Sequence, residues 1–214
     1  MDIRLNNVTK ILRKTPVIDG ITAHFTSGHV YGLQGYNGCG KTMLMRLIAG
    51  LLHPTTGSVL IDGQELGKDM DFPNSIGLII ENPMFLDDHT GLENLRLIAR
   101  LKNKASEDDI CQALTRAGLD PTDKRRFRKY SLGMKQRLGI ACAVMEKPDL
   151  ILLDEPTNAL DINGLTMIKS VICQERERGA LIITASHDLA FLQEVADQIF
   201  PMESGRFVKD GGAA

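Results

Sequence analysis

The chain has 214 residues, 43% hydrophobic, 24% charged and 5% aromatic, enough to bury a sizeable core within one compact unit. Its 25 basic and 27 acidic side chains give a net charge of −2, so bulk charge gives no reason to expect a nucleic-acid partner. The four cysteines, Cys39, Cys111, Cys142 and Cys173, form no C-x-x-C pair, which argues against a zinc site or a disulfide framework and for a reducing compartment.

In chain order, the alternation of Ile3, Leu5 and Val8, then of residues 17–25, predicts two strands of a β-rich opening. The charged stretch Met1 to Thr15 lacks the apolar core of a leader peptide. Ser27-Gly28 turns the chain into an apolar strand, His29 to Leu33, which meets the glycine-rich stretch Gly35 to Thr42 and then a helix running to about Gly50. Short strands are expected at Ser58–Ile61, closed by Asp62-Gly63, and at Ser75–Ile80, with a sharp exit at Glu81-Asn82-Pro83.

The next block reads as helical. Thr90 with Glu93 and Ser106 with Asp109 are capping pairs ahead of apolar faces formed by Leu92, Leu95, Ile98 and Ala99 and by Ile110, Ala113, Leu114 and Ala117. A basic run, Lys124 to Lys129, reads as a solvated segment rather than a phosphate or partner contact. A third helix is expected from Ser131 to Pro148. Then strands (150–154, 181–184, 198–202) alternate with helices (162–177, 188–195), which argues for a mostly parallel sheet. Residues 211–214 read as a frayed tail. No run approaches the ~18 apolar residues of a membrane span, so any membrane role is expected to need another polypeptide.

Gly35-Tyr36-Asn37-Gly38-Cys39-Gly40-Lys41-Thr42 fits the phosphate-loop pattern in strand, loop, helix order. Its glycines let successive N–H groups turn toward phosphate oxygens at a helix N-terminus; Lys41 would reach the β- and γ-phosphates and Thr42 would offer its hydroxyl to Mg²⁺. At the end of the apolar run Leu150 to Leu153, Asp154 is placed to hold Mg²⁺ through water and Glu155 to take a proton from an attacking water.

The order of these two motifs with Tyr130 to Arg137 between them and Ser186-His187-Asp188 after them resembles the nucleotide-binding subunit of an ABC transporter over essentially the whole chain. The resemblance implies an α/β P-loop cassette: one ATPase domain, 1–214, with a mostly parallel core and an N-terminal antiparallel part from 1–80 and 148–214, and an inserted helical subdomain, 81–147. It implies that Ser131 and Gly133 cap the γ-phosphate of ATP held by an opposing subunit, so that two cassettes, identical or different, close head to tail. Asn158 to Asp161 resembles the loop along that interface, and His187 the histidine that contacts the γ-phosphate and the water.

The sequence departs from the family pattern in four features. Leu132 and Met134 interrupt the signature; Met43 replaces a hydroxyl residue; Leu12 stands where an adenine-stacking aromatic is usual; and Glu81 replaces a glutamine that ligates Mg²⁺. The last, with the Ser-Leu-Gly-Met signature, is similar to the subgroup serving bacitracin and lantibiotic self-protection exporters. The function implied is ATP hydrolysis powering an exporter, with a transmembrane permease docking near Glu81 to His89, where Phe85 and Leu86 are either cover for the partner or part of this subunit's own core. Such a subunit sits in the cytoplasm against the inner face of the membrane, and no nucleic acid is expected. The alternative is a soluble ABC ATPase acting as a scaffold or clamp in repair, translation or iron–sulfur assembly.

Overall fold

The computed structural model describes residues 1–208; the expected tail at 211–214 lies outside them. The chain opens with a long hairpin, β1 (Asp2–Leu12) and β2 (Thr15–Thr26), turned by Arg13 and Lys14, both at positive φ. Two consecutive left-handed residues match the twist of a two-residue hairpin loop, and Leu12 pairs with Thr15 across it. β4 (Thr56–Ile61) joins the other edge of β1, and Asp62-Gly63 turns the chain into the short β5 (Gln64–Glu65), giving an antiparallel sheet of order β2-β1-β4-β5.

A second sheet has β3 (Val30–Gln34), β6 (Ile76–Ile79), β7 (Leu150–Asp154), β8 (Leu181–Ser186), β9 (Gln198–Glu203) and β10 (Arg206–Phe207) in the order β10-β9-β3-β8-β7-β6. All its pairings are parallel except β9 with β10. The strands β7 and β8 are buried along their whole length, as expected of strands covered on both faces.

Period-two alternation assigns each strand residue to one of two cores. Leu150, Leu152, Leu181, Ile183, Tyr31 and Leu33 face α1 (Lys41–Ile48) and the antiparallel sheet, packing with Leu44, Met45, Ile48, Leu5 and Phe25. Ile151, Leu153, Ile182 and Val30 face the other way, into a core shared with the later helices. These are α2 (Gly91–Lys102), α3 (Glu107–Arg116), α4 (Leu132–Val144), α5 (Ile162–Glu177) and α6 (Leu189–Val195).

Both capping boxes form: Thr90 with Glu93 starts α2 and Ser106 with Asp109 starts α3. Leu95, Ala99, Ile110, Ala113, Leu114 and Ala117 are buried as their spacing required, and Gly118 ends α3 at φ 69°. The helix from Ser131 stops at Val144 rather than near Pro148. A residue before proline is barred from helical backbone, and Lys147 takes φ 51°. The basic run forms a short 3₁₀ turn, Phe127–Lys129, whose Phe127 is buried while Arg126 and Arg128 pair with Asp88. Phe85 packs edge-on to Phe127, 5.3 Å between centroids, whereas Leu86 is exposed, so the two apolar residues of that segment part company. No helix among the described residues is long and apolar enough to cross a membrane.

Helix α4 lies against the edge strand β6 at backbone distance. A Cβ built on Gly77 would fall 1.7 Å from the Ala143 carbonyl oxygen and 2.9 Å from Pro148. Gly77→Ala must therefore displace α4, and we expect it to cost about 3 kcal/mol, the upper part of the usual range for overpacking. A shift of the urea midpoint at unchanged slope measures it.

Candidate functional site

The parallel strands deliver their C-terminal ends to one edge of the sheet, the place where open α/β sheets bind ligands. Register fixes the neighbours: Gln34 pairs with Ser186, Asp154 with Ala185, and Ile79 with Leu153. The chain leaving β3, β7, β8 and β6 thus brings Gly35, Glu155, His187 and Glu81 to the same rim.

Beyond β3 the loop folds tightly. A Cβ on Gly35 would meet Cys39 Sγ and the Met202 carbonyl, each at 2.6 Å, and Gly38 and Gly40 take φ 86° and 116°. Gly40 caps α1 with no side chain, and no acidic residue occupies the first turn, so the helix presents its N–H groups and partial positive charge to the cavity in front of it. Lys41 is almost wholly buried. Its Nζ donates to the carbonyls of Gly35 (2.6 Å) and Tyr36 (3.3 Å) and stands 3.3 Å from Glu155 Oε1.

The hydroxyl of Thr42 donates to Asp154 Oδ2 at 2.6 Å, tying α1 to β7, while Asp154 Oδ1 is buried without a partner. Burial raises the proton affinity of Asp154; the Thr42 hydrogen bond opposes that, and the Glu155 charge reinforces it. Glu155 follows at φ 47°, a left-handed conformation rare for a side-chain-bearing residue. Its N–H donates to the Ala185 carbonyl, and its Oε2 lies 2.9 Å from His187 Nδ1. Lys41, Glu155 and His187 therefore form a connected chain of side chains across the rim.

Lys41 and Glu155, but not His187, border a cavity of about 500 Å³ lined by the loop from Asn37 to Met43, by Glu81, Asp154 and Glu155, and by Thr15, Pro16, Val17, Ser204 and Gly205. Sequence reasoning missed the last five. The loops that bring them there are close-packed: Gly40 and Gly205 both approach the Val17 carbonyl, which the sequence pattern does not encode. Leu12 is partly exposed at the end of the hairpin and outside this lining. The Tyr36 side chain is exposed, and Cys39 is buried behind the loop. Glu81, at φ 62°, lines the cavity but forms an ion pair with Arg46, one turn beyond Thr42 on α1. Nothing in the sequence had marked Arg46.

Ser131 and Gly133 belong to a different cavity, of about 790 Å³, which shares no lining residue with the first. Ser131 caps α4 by accepting from Met134 N–H, Leu132 is exposed, and Gly133 is pressed against the Ala159 carbonyl, 2.8 Å from where its Cβ would be. Arg137 and Asp161, 3.1 Å apart, close the far wall.

The first cavity offers cationic and N–H groups to an anion, hydroxyl and carboxylate oxygens to a hard cation, and a carboxylate beside an imidazole for proton transfer. No cluster of three or more His, Cys, Asp or Glu side chains suited to a metal occurs among the described residues, which leaves a site of few protein oxygens.

Comparison with known proteins agrees with this chemistry. A family model described as ABC transporter matches residues 18–158. An uncharacterized ABC transporter ATP-binding protein of Bacillus subtilis, YybJ, is 46% identical over 95% of this chain and 94% of its own. The bacitracin transport ATP-binding protein BcrA of Enterococcus faecalis is 39% identical over 97% of this chain and 68% of its own. A solved structure of an ATP-binding subunit of an ABC transporter superposes with a TM-score of 0.86 at 25% identity, covering 97% of this chain and 88% of that one. The chain belongs to the ABC transporter family, as an ATP-binding subunit that hydrolyses ATP.

Proposed function

We propose that this subunit powers an exporter that removes a peptide antibiotic of the bacitracin kind, working as a pair of cassettes beneath a transmembrane permease. The observation that carries the catalytic part is the convergence of Lys41, Thr42, Asp154 and Glu155 on one cavity, with His187 against Glu155. The similarity to BcrA supports the substrate class.

Mg²⁺ fits the donor set. Asp154 Oδ1 is a buried oxygen with no partner, and the Thr42 hydroxyl lies against the other oxygen of that carboxylate, so two hard ligands stand together, with room for water and phosphate. Thr42 and Asp154 would hold the ion, with Glu81 as a third oxygen once it leaves Arg46. When bound, Mg²⁺ neutralises charge developing on the transferring phosphoryl group.

The remaining steps belong to the chain's own groups. Lys41, released from the Gly35 and Tyr36 carbonyls and from Glu155, turns to the triphosphate. That leaves Glu155 with only His187 beside it, able to accept the proton of the attacking water while the imidazole orients the γ-phosphate. Ser131 and Gly133 lie apart from Lys41, and a helix N-terminus suits a phosphate. We therefore assign them to the ATP of the second cassette.

The permease would dock on the groove beside Glu81 to His89. It has a volume of about 430 Å³, is lined by Asn82, Pro83, Met84, Phe85, Phe127 and Leu132, and carries the fully presented Met84 on its lip. The subunit would then sit at the inner face of the membrane, with residues 81–147 as the helical subdomain beneath the permease.

Lys41→Ala should weaken nucleotide binding at least about tenfold and abolish turnover, since hydrogen bonds from a charged donor contribute roughly 1.5–3 kcal/mol each. The chain has no tryptophan, so a fluorescent ATP analogue reads the affinity. Glu155→Gln should bind ATP normally, lose turnover by at least about a hundredfold because an amide is no base, and accumulate as an ATP-bound dimer on gel filtration. Deleting the gene should sensitise cells to a bacitracin-type peptide, with rescue by wild type and not by Lys41→Ala, and the tagged subunit should copurify with a polytopic membrane protein. Unchanged susceptibility with no membrane partner would sink the export reading.

A further inference from the structure

One face of α4 runs along the loop that leaves β7, and three of its residues touch that loop. Gly133 packs against the Ala159 carbonyl; Gln136 Nε2 donates to the Pro156 carbonyl at 3.2 Å, with the Glu155 carbonyl at 3.5 Å; and Arg137 donates to Asp161 Oδ1 at 3.1 Å. Positions i, i+3 and i+4 share one face of a helix, so this is a single clamp. Its middle member is the most telling. Gln136 is a buried amide spent on backbone carbonyls, beside a glutamate whose own backbone is held at φ 47°. A left-handed non-glycine residue costs on the order of 1–3 kcal/mol and persists only where its surroundings over-determine it. The Glu155 N–H bond to Ala185 holds one side of that conformation, and the Gln136 amide holds the other.

We infer that Gln136 is a positioning residue for Glu155: it fixes the backbone on which the base is mounted and links that base to the cavity at the N-terminus of α4. The link is short. Ser131 and Gly133, which border the second cavity, lie within one and a half turns of Gln136 on the same helix. A displacement of the α4 N-terminus by a ligand in the second cavity is therefore passed through Gln136 to the Glu155 carbonyl in the same chain. One cavity of a cassette thereby senses the state of the other through α4 and the loop after β7.

The inference rests on the reading of Glu155 as the base, and the two fail differently. Gln136→Met preserves length and burial but removes the donor; Gln136→Glu keeps the shape and, ionised, faces the carbonyls without a proton to give. Both should leave affinity for a fluorescent ATP analogue within twofold of wild type and lower kcat at least about tenfold with little change in KM. In a Glu155→Gln background the same substitutions should cost nothing further, since both act through one group.

A wild-type kcat in either folded variant would overturn the proposal, as would a parallel loss of affinity, kcat and melting temperature, which marks a role in folding alone. Undiminished turnover in Glu155→Gln by itself would instead remove the assignment of the base.

Discussion

The Thr42 to Asp154 hydrogen bond is the contact on which the site depends. It joins the first residues of α1 to the last residue of β7, two elements that no local feature of the chain would bring together. Its existence requires β3, β8 and β7 to be adjacent and parallel, so that their C-terminal ends are level; a strand slipped by one residue would turn Asp154 into the core and Leu153 toward the cavity. The hydrophobic alternation that divides the sheet between its two cores thus also sets the register of the cavity rim. Packing and chemistry are specified by the same side chains.

Charge balance at the rim follows from that placement. Three carboxylates, Asp154, Glu155 and Glu81, border one cavity, and Lys41 and Arg46 stand against them. Each of these cations is engaged with a carboxylate. The proposed triphosphate and Mg²⁺, arriving together, would exchange these partners at little net electrostatic cost, whereas either alone would leave the rim unbalanced. The backbone is strained at two of these carboxylates, with Glu81 and Glu155 both at positive φ where their strands end. Strain of that kind gathers where a side chain must be aimed rather than merely packed.

Helix α4 belongs to both halves of the molecule. Its C-terminal part, Leu138 to Val144, is buried with Ile151 and Leu153 and lies against Gly77 at backbone contact. Its N-terminal part borders the second cavity and clamps the loop after Glu155. A helix anchored at one end and engaged with a functional loop at the other transmits displacement with little loss, because close-packed interiors are stiff.

Much of this was legible in the sequence. The strands from Val30, Leu150 and Leu181 follow from apolar runs, α2 and α3 from their capping pairs, and the phosphate loop with the Asp154-Glu155 pair from spacing alone, since each rests on residues close together along the chain. The pairing order β9-β3-β8-β7-β6 was not legible, because nothing local states which strand lies beside which. For the same reason no local pattern marks the partners of Arg46 and Gln136, puts Thr15 to Val17 and Gly205 in the cavity wall, or leaves Leu12 outside it. The chain itself determined which residues are proposed to carry the chemistry, through motif spacing and periodicity. Only tertiary structure decided which backbone carbonyls and counter-ions hold those residues in place, because such partners lie far apart in sequence and meet only when the parallel sheet aligns its ends.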